Sequence, residues 1–197
     1  NFRKEEFVEM NAAAMKYYII ASMAIFLGIA LFRDLFALIV GSNFREGIFI
    51  LPIVLGANVL SGVWLNLSFW YKREEKTGYA LWVTLSGLAA SVVAGIILIP
   101  RAGYYGAAWS RFIAEVVMVA VSLTLNRIHF PTPYDFGRIA EYVVVAMAIF
   151  FLTEFVAVDS IVLKYTINTI VLLLYLLYVV KREKIDVAAL IKAVLRR

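Results

Sequence analysis

Cysteine is absent from this chain of 197 residues, and histidine occurs only once. No disulfide, thiolate metal site or cysteine nucleophile can therefore form, and a histidine-rich metal cluster is excluded. Charged residues are also scarce at 17%, while glycine and proline number 11 and 4. Soluble domains carry about 25% charged residues, and collagen-like chains need far more glycine and proline. Both classes are excluded.

Hydrophobic residues, by contrast, make up 63% of the chain, and the mean hydropathy is +0.87. Apolar runs of about 20 residues, enough to cross about 30 Å of hydrocarbon, occur six times along the sequence. Only helices and closed barrels satisfy their backbone in lipid, and the alternating pattern of barrel strands is missing. We predict an all-α, polytopic membrane protein with spans at about 13–32, 47–70, 79–99, 105–125, 139–158 and 161–180.

The distribution of lysine and arginine predicts the orientation of these spans. Of the 19 basic residues, 14 fall on the side that holds both termini and four on the other side. Because cytoplasmic loops are enriched in lysine and arginine, we expect both termini in the cytoplasm. The basic residues flank apolar spans and do not line one soluble face, so nucleic acid is not an expected partner.

The last part of the chain has a different pattern from the spans. Apolar residues at Val187, Leu190, Ile191, Val194 and Leu195 follow helical spacing, with basic residues on the other faces. We therefore divide the chain into a six-helix transmembrane unit, 1–182, and a tail, 183–197. The tail is predicted to be an amphipathic helix on the cytoplasmic leaflet, and the alternative is a solvated basic tail.

Arg111 and Glu115 are the most informative charged residues, because both lie inside the predicted fourth span. Each costs about 2.5–3.5 kcal/mol at the centre of a membrane helix on insertion scales. Their i, i+4 spacing puts them on one face, where they can pair. We expect the pair to face a cavity and to contact substrate; the alternatives are a structural ion pair and an arginine that reaches the interface.

Three asparagines add polarity to other spans. Asn58 and Asn66 lie with Gly62 on one face of the second span, and Asn168 lies in the sixth. Amide groups can donate to and accept from a passing polar group, so these three are candidate cavity-lining or substrate-binding residues. The same face of the second span can equally hold two helices together.

Glu154 and Lys164 flank the short turn between the fifth and sixth spans. We expect them to pair near the non-cytoplasmic surface as a structural contact or a candidate gate. The sequence contains no HExxH, GxSxG, Walker or GxGxxG signature. Acidic residues are scattered among the segments, so an enzyme, a metal site and a bound cofactor are not predicted.

The segment "LIPRAGYYGAAW", residues 98–109, places Ile-Pro at the end of one predicted span and Gly-Ala-Ala at the start of the next. With Pro100 ending the first span, this pattern predicts a tight hairpin. Together with the preceding "KREEKT" and the following "HFPTPYD", it resembles the C-terminal half of Wzx-type polysaccharide or lipid-linked oligosaccharide flippases. These belong to the superfamily that also holds the MATE multidrug exporters.

The resemblance implies a fold of two six-helix lobes around a central cavity, of which this chain would supply the C-terminal one. The first residue, Asn1, agrees with a chain that continues an N-terminal lobe. Family members move a polyprenyl-diphosphate-linked oligosaccharide across the inner membrane by alternating access, for surface polysaccharides such as lipopolysaccharide. Coupling to protons or sodium ions would be compatible, and Arg111 would contact the diphosphate. Family members often carry an asparagine shortly before Ile-Pro, where this chain has Ala94 and Gly95.

The expected partners are thus the N-terminal lobe, the lipid-linked oligosaccharide and membrane lipids. Two alternatives stay open from the sequence. One is a cation-coupled multidrug exporter of the same superfamily, which an acidic cavity in the other lobe would favour. The other is a membrane-embedded enzyme or scaffold of polyprenyl-sugar metabolism, against which the single histidine argues.

Overall fold

The computed structural model describes residues 2–39, 47–155 and 160–184, with side chains for 5–36, 47–155 and 160–184. Within these ranges the chain forms helices and no strand. The α-helices are α1 (Phe2–Leu31), α2 (Arg33–Ile39), α3 (Leu51–Leu67), α4 (Phe69–Arg73), α5 (Gly78–His129), α6 (Phe136–Phe155) and α7 (Ile161–Glu183).

Among the described residues, five helical segments are long and apolar enough to cross a membrane. These are Glu5–Leu31, Gly47–Arg73, Gly78–His129, Phe136–Phe155 and Ile161–Glu183. Large apolar side chains on them are exposed, for example Ile96 at 71% and Val162 at 77%. A contiguous apolar surface of this kind is expected in lipid and would cause aggregation in water. The chain is therefore an all-helical protein with the features of a multi-pass membrane protein.

The predicted third and fourth spans both lie within the 52 residues of α5. The break comes at Gly103, with φ 54° and ψ −126°, a region that glycine adopts far more readily than other residues. Pro100 was expected to end a span, but the helix continues through it, because proline keeps a helical φ and cannot supply the reversal. The first arm, 78–102, and the second arm, 104–129, lie side by side, with Gly87 against Met118.

Helix α1 occupies the middle of the bundle. It packs against α3, α6 and α7, and α3 in turn packs against α5. The main core includes Leu27 of α1, Tyr142 of α6 and Tyr175 of α7, each at most 1% exposed. The α3–α5 pair and the α6–α7 pair are thus held together through α1.

The end of the bundle at which α1 begins is closed by aromatic residues. Trp70 is fully buried and stacks on Phe130, with ring centroids 6.1 Å apart. In the connection before α6, the Tyr134 hydroxyl accepts a hydrogen bond from Asn11 Nδ2 at 3.0 Å. Burial raises the pKa of Tyr134 to about 12. The Asn11–Tyr134 bond attaches α1 to the connection before α6, and the Trp70–Phe130 contact joins α4 to the end of α5.

The predicted amphipathic tail begins at residue 183, where α7 ends and Lys184 adopts a left-handed conformation with φ 51°. Its apolar positions, from Val187 to Leu195, lie outside the described residues.

Candidate functional site

The packing of α3 against the second arm of α5 places Arg111 beside Asn58. Arg111 Nη2 donates to Asn58 Oδ1 at 2.6 Å. Both residues are exposed, although Asn58 is near the middle of α3 and Arg111 lies eight residues after the break at Gly103. At about 1.5 Å per residue, Arg111 is about 12 Å from the end of its arm. It is anchored across the helix interface by an amide oxygen.

Glu115 occupies the same side of α5, one turn further along. It is only 7% exposed, and its Oε2 accepts a hydrogen bond from Trp64 Nε1 at 2.9 Å. The sequence predicted an Arg111–Glu115 pair, but the hydrogen bonds of both side chains run to α3. The i, i+4 spacing does bring them to one face, and α3 supplies a neutral partner for each. A buried carboxylate would be costly without such a donor.

A groove of about 250 Å³ runs between α1 and α3, and Asn58, the hydrogen-bond partner of Arg111, lies in its lining. Its polar lining comes from Tyr18, Ser22 and Asn58, and the rest is apolar. The single proton of the Tyr18 hydroxyl is shared between two consecutive carbonyls of α3, Asn58 O at 3.2 Å and Val59 O at 3.1 Å. Three helices therefore contribute to one polar surface: α1 through Tyr18 and Ser22, α3 through Asn58, and α5 through Arg111.

This surface sits on helices whose other outward positions are mainly apolar. An ionised side chain at membrane depth faces a water-filled cavity, a polar partner or the protein interior, and does not face hydrocarbon. Chemically, the exposed guanidinium offers planar donors that match carboxylate and phosphate groups. Neighbouring hydroxyl and amide groups can donate to or accept from a polar ligand. The arrangement is suited to an anion or a polar headgroup.

The other two candidate asparagines are not part of this surface. Asn66 is 6% exposed, and its Oδ1 is buried without a hydrogen-bond partner. Asn168 Nδ2 donates to Leu31 O at 2.6 Å, which satisfies a carbonyl that the end of α1 leaves free. Asn168 lines a separate pocket of about 210 Å³ between α6 and α7. Its observed role is to attach α7 to α1.

The candidate gate residues are near each other but have different partners from those predicted. Glu154 accepts from Arg33 Nη2 at 2.9 Å, and Lys164 pairs with Asp34. The expectation of a Glu154–Lys164 pair is wrong because α2 starts directly after α1 and brings its own opposite charges to the same place. The result is a set of four charges that links α2 to α6 and to α7.

Over the part of the chain that the structure describes, no group of three or more histidine or acidic side chains is placed to hold a metal ion. Comparison with known proteins gives no further guide. No family model, curated protein or solved structure matches this chain.

Two residues of the surface were not among the sequence candidates. Tyr18 and Ser22 are polar residues at i, i+4 spacing within an apolar span. This spacing puts them on one face of the helix and could have identified them from the sequence. Trp64 gave no signal, because tryptophan in a membrane helix is ordinary. Its role depends on a carboxylate that lies 51 residues away in the chain.

Proposed function

We propose that this chain is one lobe of a membrane transporter that moves a lipid-linked, anionic oligosaccharide, of the polyprenyl-diphosphate type, across the membrane by alternating access. The observation that carries the proposal is Arg111, an exposed cation at membrane depth that Asn58 holds beside a partly polar groove. A diphosphate has the charge and geometry that a guanidinium binds best. A cationic drug would be repelled there, so we rank the multidrug exporter second.

In this proposal the two arms of α5 are separate crossings, which makes six with the other four apolar segments. A second, N-terminal lobe would form the opposite wall of the cavity, because alternating access needs two bodies that move against each other. The groove between α1 and α3 would face that lobe. We place the transporter in the inner membrane with both termini in the cytoplasm, as the distribution of basic residues predicts.

The orientation can be tested with cysteines, since the chain has none of its own. Thr77 lies between α4 and α5 and Ser160 precedes α7, and both are exposed. We expect Thr77→Cys to react with an impermeant thiol reagent only from the cytoplasmic side and Ser160→Cys only from the other side. Labelling of both from one side would refute the topology.

The substrate class can be tested by binding. The purified chain in lipid nanodiscs is titrated with geranylgeranyl diphosphate and, separately, with geranylgeraniol, which has the same hydrocarbon and no phosphate. We expect the diphosphate to bind about tenfold more tightly or better, since hydrogen bonds to a charged group contribute about 1.5–3 kcal/mol.

Arg111→Gln should abolish this preference, and Arg111→Lys should retain part of it, because the charge stays but the planar fork is lost. Arg101→Gln is the matched control, because Arg101 is an exposed arginine of the same helix near its break. A preference that survives Arg111→Gln, or equal binding of the two ligands by the unchanged chain, would refute the proposal.

A further inference from the structure

The side chain of Tyr18 crosses from α1 onto the backbone of α3 at Gly62. A Cβ atom on residue 62 would lie 1.9 Å from the Tyr18 hydroxyl oxygen and 2.0 Å from the adjacent ring carbon. No side chain at that position could coexist with the present ring placement, because heavy atoms do not approach so closely. Gly62 thus forms a notch that the end of the Tyr18 ring occupies.

In the notch, the Tyr18 hydroxyl donates its one proton to the carbonyls of Asn58 and Val59, which share it. A carbonyl has two lone pairs, so each can accept this bond in addition to its helical one. The bond from α1 therefore reaches the backbone of the same residue whose side-chain oxygen accepts from Arg111. The contacts form a continuous series from Tyr18 through Asn58 to Arg111, across α1, α3 and α5.

We propose that Tyr18 is a positioning residue for Arg111: its hydroxyl fixes the Asn58 segment of α3, and Asn58 in turn holds the guanidinium at the groove. Tyr18 acts through Asn58 and needs no contact with the ligand. The inference rests on the proposed function only in that Arg111 contacts the diphosphate of the ligand. It also gives Gly62 a role, which is to leave space for the Tyr18 ring beside Asn58. From the sequence, Gly62 is only one residue of a small and polar helix face.

Tyr18→Phe is the decisive variant, because it keeps the ring in the notch and removes only the hydroxyl. Binding of geranylgeranyl diphosphate and of geranylgeraniol is measured in nanodiscs, together with the thermal midpoint of unfolding. We expect Tyr18→Phe to weaken diphosphate binding about three- to tenfold, the range that corresponds to loss of one hydrogen bond, with geranylgeraniol binding unchanged. In an Arg111→Gln background the same change should have no further effect.

Tyr17→Phe is the control, since Tyr17 is the neighbouring tyrosine of α1 and is 51% exposed. It should bind both ligands as the unchanged chain does. A purely structural role for Tyr18 would lower the thermal midpoint and weaken the binding of both ligands equally. That result would overturn the inference.

Gly62→Ala gives a second approach, because its methyl group must expel the ring from the notch. We expect it to reduce diphosphate preference as Tyr18→Phe does. If it fails to fold, Tyr18→Phe still decides. Loss of the preference in Arg111→Gln but not in Tyr18→Phe would refute the inference alone. Absence of any preference in the unchanged chain would refute the proposed function and the inference with it.

Discussion

The contact between the two arms of α5 predicts a large effect from a single methyl group. Gly106 lies three residues after the break, where the second arm crosses the first. A Cβ there would be 2.2 Å from Leu98 O and 2.8 Å from Ile99 N, both backbone atoms of the first arm. A carbon normally approaches a carbonyl oxygen to about 3.3–3.6 Å. Gly106→Ala therefore requires the arms to separate by about 1 Å.

The size of the effect follows from two opposing terms. Overpacking costs about 1–3 kcal/mol, and the upper end applies here because backbone cannot rotate away as a flexible side chain can. Alanine returns up to about 1 kcal/mol of helix propensity relative to glycine. We expect a net loss of about 2 kcal/mol in the free energy of unfolding for Gly106→Ala.

Gly95→Ala is the matched control on the facing arm. A Cβ at Gly95 would meet Ile99 Cδ1 at 3.5 Å and Ser110 Oγ at 4.0 Å, which are ordinary contacts. This variant should be neutral or gain up to about 1 kcal/mol. Denaturant titration in mixed micelles measures both, and the two variants should differ by about 2–3 kcal/mol. Equal stability of Gly106→Ala and Gly95→Ala would refute the close approach of the arms.

Two further predictions concern other contacts. Trp64→Phe removes the donor to the buried Glu115 carboxylate and should lower the free energy of unfolding by about 1–3 kcal/mol in the same titration. Glu115→Gln keeps an acceptor for Trp64 and should lower it less. Equal losses in the two variants would contradict this prediction. Burial raises the pKa of Tyr134 from its ordinary 10.0 to about 12, so its contribution to stability is present below pH 10 and lost as the pH rises to about 12. Tyr134→Phe should therefore reduce the fall in stability between pH 10 and about 12, measured by the same titration; an unchanged fall in Tyr134→Phe would count against the buried phenol.

Much of the fold follows from local properties of the sequence. Apolar runs of span length and the lack of barrel alternation predicted helices in a membrane, and five such helices are present among the described residues. The sequence also predicts the reversal near residues 100–106, but the residue that makes it is Gly103 and not Pro100. Both residues are typical of breaks, and the choice between them depends on backbone angles that composition does not specify.

The candidate site was predictable only in part. Arg111 and Glu115 stood out from the sequence because of the free-energy cost of placing a charge in a membrane helix. An ionised residue there needs a polar partner. Helical spacing correctly put both on one face, yet it could name only neighbours within the same helix. The actual partners, Asn58 and Trp64, come from α3 and are chosen by how α3 packs on α5.

The sequence by itself indicated a membrane environment and helical secondary structure. Both follow from hydropathy and helical periodicity, which are properties of a few consecutive turns of the chain. Tertiary structure alone decided which polar groups meet. Tyr18 reaches Asn58 across 40 positions of sequence only because Gly62 leaves space for its ring. Glu154 and Lys164 pair with Arg33 and Asp34 because the start of α2 brings both of these charges to the same place. Such pairings depend on the distance between side chains on different helices, and no spacing within one helix encodes that distance.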